Sequence, residues 1–431
     1  MMISEQYGFG DQYSEAFVWI WLPDETEPVV AGRLGVDSHN LLFNYGKSYL
    51  DRINDTKSAI SIYEPELPLK AGVLPLLGGL SMPGCIRDGA PDAWGRRVII
   101  NKKMGLKGAN TDTTVLNELT YLLESGSDRI GALDFQLSSS YYEARSVINV
   151  PLVELINSVA RVEKGLLLTP ELDMALYHGT AIGGARPKAL VEDGDKKYVA
   201  KFSSSTDLYS IVKAEFIAMK LADLVGLDVA PVKLEIAANK DVLLIERFDR
   251  EKTQQGWTRK SMVSALTLFG LDDMMARYAS YETLAEIIRY RFTDPKDTLK
   301  ELFSRLVFNI LCGNTDDHAR NHAAFWNGKA LTLTPAYDIC PQNRVGNEAS
   351  QAMLIHGNDN LSQVKLCLDS AHNFLLSKEE ARVIFEKQKG VIEISWDTVC
   401  DKAQLSVIDR KLFWERQFLN PFTLEGLSDN K

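Results

Sequence analysis

The run from Cys312 to Pro341, CGNTDDHARNHAAFWNGKALTLTPAYDICP, constrains this chain more than any other stretch. It sets Asp316 and Asn321 five positions apart and carries a second aspartate, Asp338, in a β-like continuation. Its approach is well marked. Asp294 can cap a helix over 295–312, and Pro295 takes that helix's first position. Two carboxylates and an amide therefore follow directly on a long helix.

A length of 431 residues calls for two or three domains rather than one core. The net charge of −10 argues against a chain that coats nucleic acid by itself, since such binding rests on a basic footprint. One basic segment, Arg96, Arg97, Lys102, Lys103 and Lys107, reads as a solvated helix face. The five cysteines are widely spaced with no C-x-x-C pair, which reads as packed thiols in a reducing compartment. The first residues have neither a basic nor an apolar region, and no run approaches the roughly eighteen apolar residues of a membrane span. A cytoplasmic protein with no membrane partner is expected.

Residues 1–150 read as a small mixed α/β subdomain without a catalytic constellation of its own. Strands are expected at Phe17–Leu22, Val29–Leu34 and Leu41–Tyr45, then an irregular connection over Pro65–Cys85. Helices follow at 91–100 and 118–124, and a strand at 130–137. Residues 151–248 change texture: helices at Leu152–Val162 and from Thr169, then a Gly-rich turn over His178–Lys188. Strands at 188–192 and 197–202 come next, then a helix at Ile211–Val225 closed by Gly226, then strands at 232–236 and 242–246. Residues 249–431 turn helical from Trp257, with helices near 260–269, 281–291, 295–312, 378–389 and 396–418. Ser377 and Glu380 form a capping box before the fourth of these.

Phosphoryl transfer needs a base near the attacking hydroxyl and positive charge on the phosphates, and little covalent chemistry. The parts occur here in order. Gly183 and Gly184 lack the Cβ atoms that would keep backbone N–H groups away from phosphate oxygens, although a Gly pair is also an ordinary turn. Lys201 lies between Ala200 and Phe202 on an apolar strand, where it is costly unless paired, and Glu215 on the next helix is placed to pair it. Glu246 to Phe248 end the last strand where β texture gives way to helix: a hinge for an adenine, or an exposed strand end with an Arg–Asp pair. Asp316 and Asn321 match D-x-x-x-x-N and Asp338 the later aspartate, without the H-R and F-G that protein kinases add.

Two other readings stay open on these residues. His318 and His322 are four apart and would share one face of a helix with Asp316 and Asp338 nearby, as in a metal-dependent hydrolase, yet H-A-R-N-H lacks the Glu of H-E-x-x-H. Alternatively Asn314-Thr-Asp316 is a capping loop in a non-catalytic nucleotide-binding partner of a repressor.

Four runs then carry a resemblance as a set: Gly184-Ala-Arg-Pro-Lys188, Ile245-Glu-Arg-Phe-Asp-Arg250, Gly313-Asn-Thr-Asp-Asp-His-Ala-Arg-Asn321 and Thr334-Pro-Ala-Tyr-Asp-Ile339. With Ala90-Pro-Asp-Ala-Trp-Gly-Arg96 and Leu122–Ala132 they resemble the HipA-like toxin kinases of bacterial type II toxin–antitoxin systems, over most of the chain. The resemblance implies an α+β, two-lobed protein-kinase-like fold with an extra N-terminal β-containing subdomain and an all-helical C-terminal lobe. It implies an ATP- and Mg²⁺-dependent serine/threonine kinase with Asp316 as proton acceptor and Asn321 and Asp338 as Mg²⁺ ligands. Around ATP it implies Gly183, Gly184, Ala185, Arg186, Pro187 and Lys188, then Lys201, then Glu246, Arg247 and Phe248. His318, Ala319, Arg320, Asn321, Tyr337 and Asp338 would complete that shell. A protein substrate such as an aminoacyl-tRNA synthetase is implied, with translation inhibited, and a small helix-turn-helix antitoxin as the only route to DNA. The family's loop often carries an autophosphorylated serine. Here Ala181 stands there with Thr180 beside it, so either Thr180 takes the role or this regulation is missing.

Overall fold

The computed structural model describes residues 13–54, 58–104, 116–145, 150–163, 178–184, 186–204, 207, 209–344 and 346–427. The helix expected from Thr169 lies outside these residues, as do Lys107 and Ala185.

The N-terminal part is built on an antiparallel sheet of five strands, β1 (Glu15–Ile20), β2 (Val29–Asp37), β3 (Asn40–Tyr45), β4 (Val73–Leu74) and β5 (Leu133–Gln136), in the order β4-β3-β2-β1-β5. Period-two alternation buries Ala16, Val18 and Ile20 on one face of β1. Strand β2 outruns its expected end at Leu34 because Asp37 still pairs Asn40 across a tight turn in which Ser38 has φ 56°. Helices α1 (Lys47–Leu50), α2 (Gly84–Arg87), α3 (Ala93–Met104), α4 (Glu118–Glu124) and α5 (Leu152–Glu163) complete it. The basic segment is tied down in part: Arg96 pairs with Glu118 and Lys103 with Glu124, both at 2.6 Å.

A second antiparallel sheet, β6 (Lys188–Asp193), β7 (Lys196–Phe202), β8 (Val232–Ala237) and β9 (Lys240–Glu246), runs in the order β6-β7-β9-β8. Both its faces are covered. Helix α6 (Ile211–Val225) packs on one, ended by Gly226 at φ 94° as a left-handed cap. On the other, Tyr198, Ala200 and Phe202 of β7 form one apolar cluster with Trp94 and Val98 of α3 and Leu155 and Val159 of α5. The alternation of β7 therefore turns Lys201 to the opposite face, toward the cleft below the sheet.

The C-terminal part is helical around α8 (Tyr281–Arg291) and α9 (Pro295–Leu311), after two short strands β10 (Arg250–Lys252) and β11 (Trp257–Arg259) and the one-turn helix α7 (Ala265–Leu268). Pro295 opens α9 as expected, but the Asp294 side chain makes no capping bond. The helix expected near 260–269 is instead strand β12 (Met262–Ser264) followed by α7. Strand β12 exists because β13 (Ala323–Trp326) lies beside it, a partner about sixty residues away that no local pattern reveals, and β14 (Leu331–Leu333) pairs with the far edge of β13. Helices α10 (Val364–Ser370), α11 (Lys378–Lys402), α12 (Val407–Phe413) and α13 (Pro421–Leu424) follow. Helix α11 starts with the expected Ser377–Glu380 capping box, yet it passes unbroken through Gly390, where two helices were expected. Its buried face continues through Ile392, Trp396 and Val399, which outweighs one glycine's cost of roughly 1 kcal/mol.

The N-terminal part reaches both others. Helix α3 lies on the β6–β9 sheet, and Ser61 accepts from Trp326 Nε1 of β13 at 2.9 Å through its carbonyl.

Candidate active site

A cavity of about 390 Å³ opens between the β6–β9 sheet and the α8–α9 half. Lys201 Nζ donates to Glu215 Oε1 at 2.6 Å and also to Asp338 Oδ1, so strand, helix α6 and the late aspartate meet at one ammonium. Burial opposes a charged lysine here, but Asp338 and Glu215 outweigh it and hold the Lys201 pKa up. Burial likewise works to raise Asp338, yet Lys201 and then Lys188 keep its pKa at about 2. Glu215 is pushed up by burial, with Lys201 opposing.

Asp316 lines the same cavity and is exposed. Partial desolvation by the surrounding protein raises its pKa from the ordinary value; His318 opposes this, and the Asp338 and Asp317 charges add to it. A raised carboxylate is a better proton acceptor. Asn321 is buried and donates from Nδ2 to the Asp316 carbonyl at 3.1 Å, which leaves its Oδ1 as the atom to offer a ligand. Asp338 takes φ 59°, a left-handed conformation that an aspartate tolerates better than most residues.

The Gly-rich turn closes the cavity from above. Gly184 has φ 106°, a backbone conformation that strains any residue with a Cβ, and a Cβ there would also push Lys188 Nζ from its place. Lys188 donates to the Gly183 carbonyl, and burial and then the Lys201 charge lower its pKa to about 8. Arg186 is held by Asp207 at 3.0 Å. At the hinge, Phe248 packs against Tyr337 with ring centroids 5.7 Å apart.

Most of the site residues expected from the sequence border this cavity, and the exceptions are informative. Pro187 and Ala319 do not line it, and Ala185 lies outside the described residues. Glu246 and Arg247 border it, but Glu246 Oε2 pairs with Lys196 at 2.6 Å. The Arg247 guanidinium turns away entirely, to Asp128 at 3.0 Å and Asp249 at 2.8 Å. Thr180 is fully buried, its hydroxyl accepting from Gly126 N at 3.2 Å.

His322 departs from the metal arrangement. Residues Ala319–Asn321 form a 3₁₀ turn rather than an α-helix, so His318 and His322 do not share a face. His318 faces the cavity, whereas His322 is buried with Nε2 3.0 Å from Asp317 and 3.3 Å from Tyr281 Oη. Among the described residues no three His, Cys, Asp or Glu side chains converge as a metal cage. A site with one or two carboxylates suits a cation that takes its remaining ligands from phosphates and water.

Sequence reasoning passed over the N-terminal contribution. Asp88, Asp92 and Ile130–Leu133 line the cavity although they belong to the part read as having no catalytic constellation. The available signal was Asp92 in the first turn of the helix expected over 91–100, where an acidic residue is ordinary and draws no notice.

Residues 180–396 match the model of the HipA-like C-terminal domain. Over 338 residues the chain is 24% identical to "Putative kinase Y4mE" of Sinorhizobium fredii, covering 72% of this chain and 74% of that protein. It is also 24% identical over 158 residues to the serine/threonine-protein kinase toxin HipA of Shewanella oneidensis, 33% of this chain and 36% of the relative. The solved complex of Shewanella oneidensis HipA with HipB and operator DNA contains a chain of the same fold. Its TM-score is 0.66 at 19% identity, over 92% of this chain and 93% of that one. The fold is α+β and two-lobed, like a protein kinase.

Proposed function

The chain belongs to the HipA-like family, and on that premise we propose that it is an ATP- and Mg²⁺-dependent serine/threonine protein kinase, the toxin of a toxin–antitoxin pair. The observation that carries the reading is the convergence of Lys201, Glu215, Asp338, Asp316 and Asn321 on one cavity under a glycine turn. Asp316 accepts the proton of the attacking hydroxyl, and its raised pKa serves that role. Lys201, fixed by Glu215, and Lys188 meet the phosphates. The Gly183–Gly184 backbone covers them, and Phe248 and Tyr337 flank the base. The hard oxygen donors Asp338 Oδ and Asn321 Oδ1 fit Mg²⁺, and they would hold it. Mg²⁺ supplies charge neutralisation on the transferring phosphoryl group.

The substrate is a protein hydroxyl, in a target of the aminoacyl-tRNA synthetase kind. The partner is a small helix-turn-helix antitoxin, as HipB accompanies HipA in the related complex. An antitoxin suits a chain of net charge −10, which then meets DNA only indirectly. A cytoplasmic setting suits its five free, buried cysteines, and among the described residues no helix is long and apolar enough to cross a membrane. Thr180 is the candidate autophosphorylation site, reached only when its loop swings out, since its hydroxyl is buried. Intact mass after incubation with Mg-ATP tests this: a phosphate adduct that survives Thr180→Ala removes Thr180 from the account. The kinase reading itself is tested by labelled-ATP transfer into a cell lysate, with wild type beside Asp316→Asn. A labelled protein band present only with wild type supports it, and equal labelling by both overturns it.

A further inference from the structure

The Pro91–Asp92 step at the head of α3 lies against the cleft. Asp92 holds the N-cap position of that helix, its carbonyl accepting from Arg96 N at 2.9 Å. An aspartate there usually turns its carboxylate onto the helix's own first N–H groups. This one goes elsewhere. Oδ2 accepts from the backbone N–H of Gly184 at 2.5 Å, and Oδ1 faces Arg320 Nη1 at 3.6 Å. Arg320 is the residue before Asn321, and its carbonyl accepts from Tyr337 Oη at 2.7 Å. A single carboxylate from the N-terminal part thus joins the Gly-rich turn to the loop that carries Asp316 and Asn321.

The approach is a built one. A Cβ on Gly95 of α3 would sit 2.0 Å from the Thr180 carbonyl oxygen, and one on Gly183 would sit 2.8 Å from Asp92 Oδ2. Gly95 must be glycine for the helix and the turn to come this close, and a side chain at Gly183 would push the Asp92 carboxylate aside. The step is also anchored from behind. Arg96 Nε donates to the Pro91 carbonyl at 2.9 Å, and its guanidinium grips both Glu118 oxygens at 2.6 Å.

We propose that Asp92 is a positioning residue for the nucleotide's phosphates, a carboxylate from outside the two lobes that sets the Gly183–Gly184 backbone against the catalytic loop. The proposal rests on the nucleotide-binding reading of the cavity. A Gly pair has more backbone freedom to lose than any other, and holding it before the ligand arrives removes that loss from binding. Arg320, which also pairs with Asp273 at 2.6 Å, lies beside Asp92 and offsets part of its charge, so the phosphates do not meet a bare carboxylate.

The test is isothermal titration of the full chain with Mg-ATP and, separately, with adenosine, for wild type, Asp92→Asn and Asp92→Ala, with Tm recorded for each. ATP affinity is expected to fall about tenfold in Asp92→Ala, the worth of ~1.4 kcal/mol. In Asp92→Asn it falls about threefold, because the amide oxygen still accepts from Gly184 but a charge-assisted bond is about twice as strong as a neutral one. Adenosine affinity stays at the wild-type value in both. A helix cap makes a different prediction: Asn caps as well as Asp, so Asp92→Asn would leave every value unchanged, and Asp92→Ala would lower Tm without altering the ATP-to-adenosine ratio. Either result overturns the proposal, as does tighter ATP binding in Asp92→Ala, which would make Asp92 a competitor of the phosphates. If Asp92→Ala does not fold, Asp92→Asn at wild-type Tm decides. A wild-type chain that binds neither ligand overturns the nucleotide reading, and this proposal with it. An unchanged ratio in variants of a chain that does prefer ATP overturns the role of Asp92 alone.

Discussion

Replacing Asp128 by Asn should unlock the hinge from the N-terminal part at a large cost in stability. Asp128 Oδ1 accepts from Arg247 Nη1 and Arg250 Nε, both at 3.0 Å, and Oδ2 from Lys197 at 2.7 Å. Asp249 accepts from the same two arginines, whose side chains are 1% exposed. Burial alone would raise Asp128, yet Arg247 and Arg250 hold it well below the usual carboxylate range. Two buried guanidiniums thus face two buried carboxylates, and Asp128→Asn leaves one positive charge uncompensated. Breaking a buried pair in this way costs about 3–5 kcal/mol. At about 2 °C per kcal/mol for a chain of this size, Tm falls by about 6–10 °C. Thermal denaturation followed by circular dichroism reads this directly. The loss should be the same in 0.1 M and ~1 M salt, because buried pairs are little screened. Adding Arg250→Met, which removes the unpaired charge, should recover at least half of it. A drop below about 2 °C, or one that vanishes in high salt, would refute the buried-network reasoning.

Other consequences follow from the same geometry. Asp249 would be raised by burial, but Arg247 and Arg250 bring it to about 2 from an ordinary 3.8. Its folded pKa is depressed, so its contribution of about 2 kcal/mol is present above the unfolded value and lost as pH falls from roughly 4 toward 2. Urea unfolding at pH 7, 4 and 3 should show that loss, and Asp249→Asn should flatten it. Lys188, lowered to about 8, loses its charge as pH rises through that value. Mg-ATP affinity should therefore weaken between pH 7 and 9 by up to about tenfold, and Lys188→Ala should abolish the step. Gly95→Ala drives a Cβ to within 2.0 Å of the Thr180 carbonyl oxygen. It should cost about 1–3 kcal/mol by denaturant unfolding and weaken ATP binding through the displaced turn.

What could be read from the sequence follows how local each determinant is. Helix α6 needed only its own apolar face and the Gly226 stop, and its ends fall where expected, at Ile211 and Val225. The pairing of Lys201 with Glu215 was legible because an apolar strand cannot hold a bare ammonium. Strand β12 was read as helix because its partner Ala323–Phe325 lies far along the chain. Helices are expected at 378–389 and 396–418 with a gap around Gly390, because the packing that carries α11 through it is not written locally. Asp92 and His322 show the limit most clearly. Each has a residue type and spacing that suggest a local role, an acidic residue in a helix's first turn and a metal ligand. Each is instead committed to a partner brought by the fold, Gly184 in one case and Asp317 in the other.

The central claim is that Asp316 acts as the base of a phosphoryl-transfer site whose nucleotide cradle stands without it. The most direct measurement is phosphotransfer from Mg-ATP by Asp316→Asn, with nucleotide affinity determined on the same preparation. The account predicts affinity within about threefold of wild type and a transfer rate lower by at least about a hundredfold. Transfer at the wild-type rate, with the nucleotide bound equally well, would contradict it.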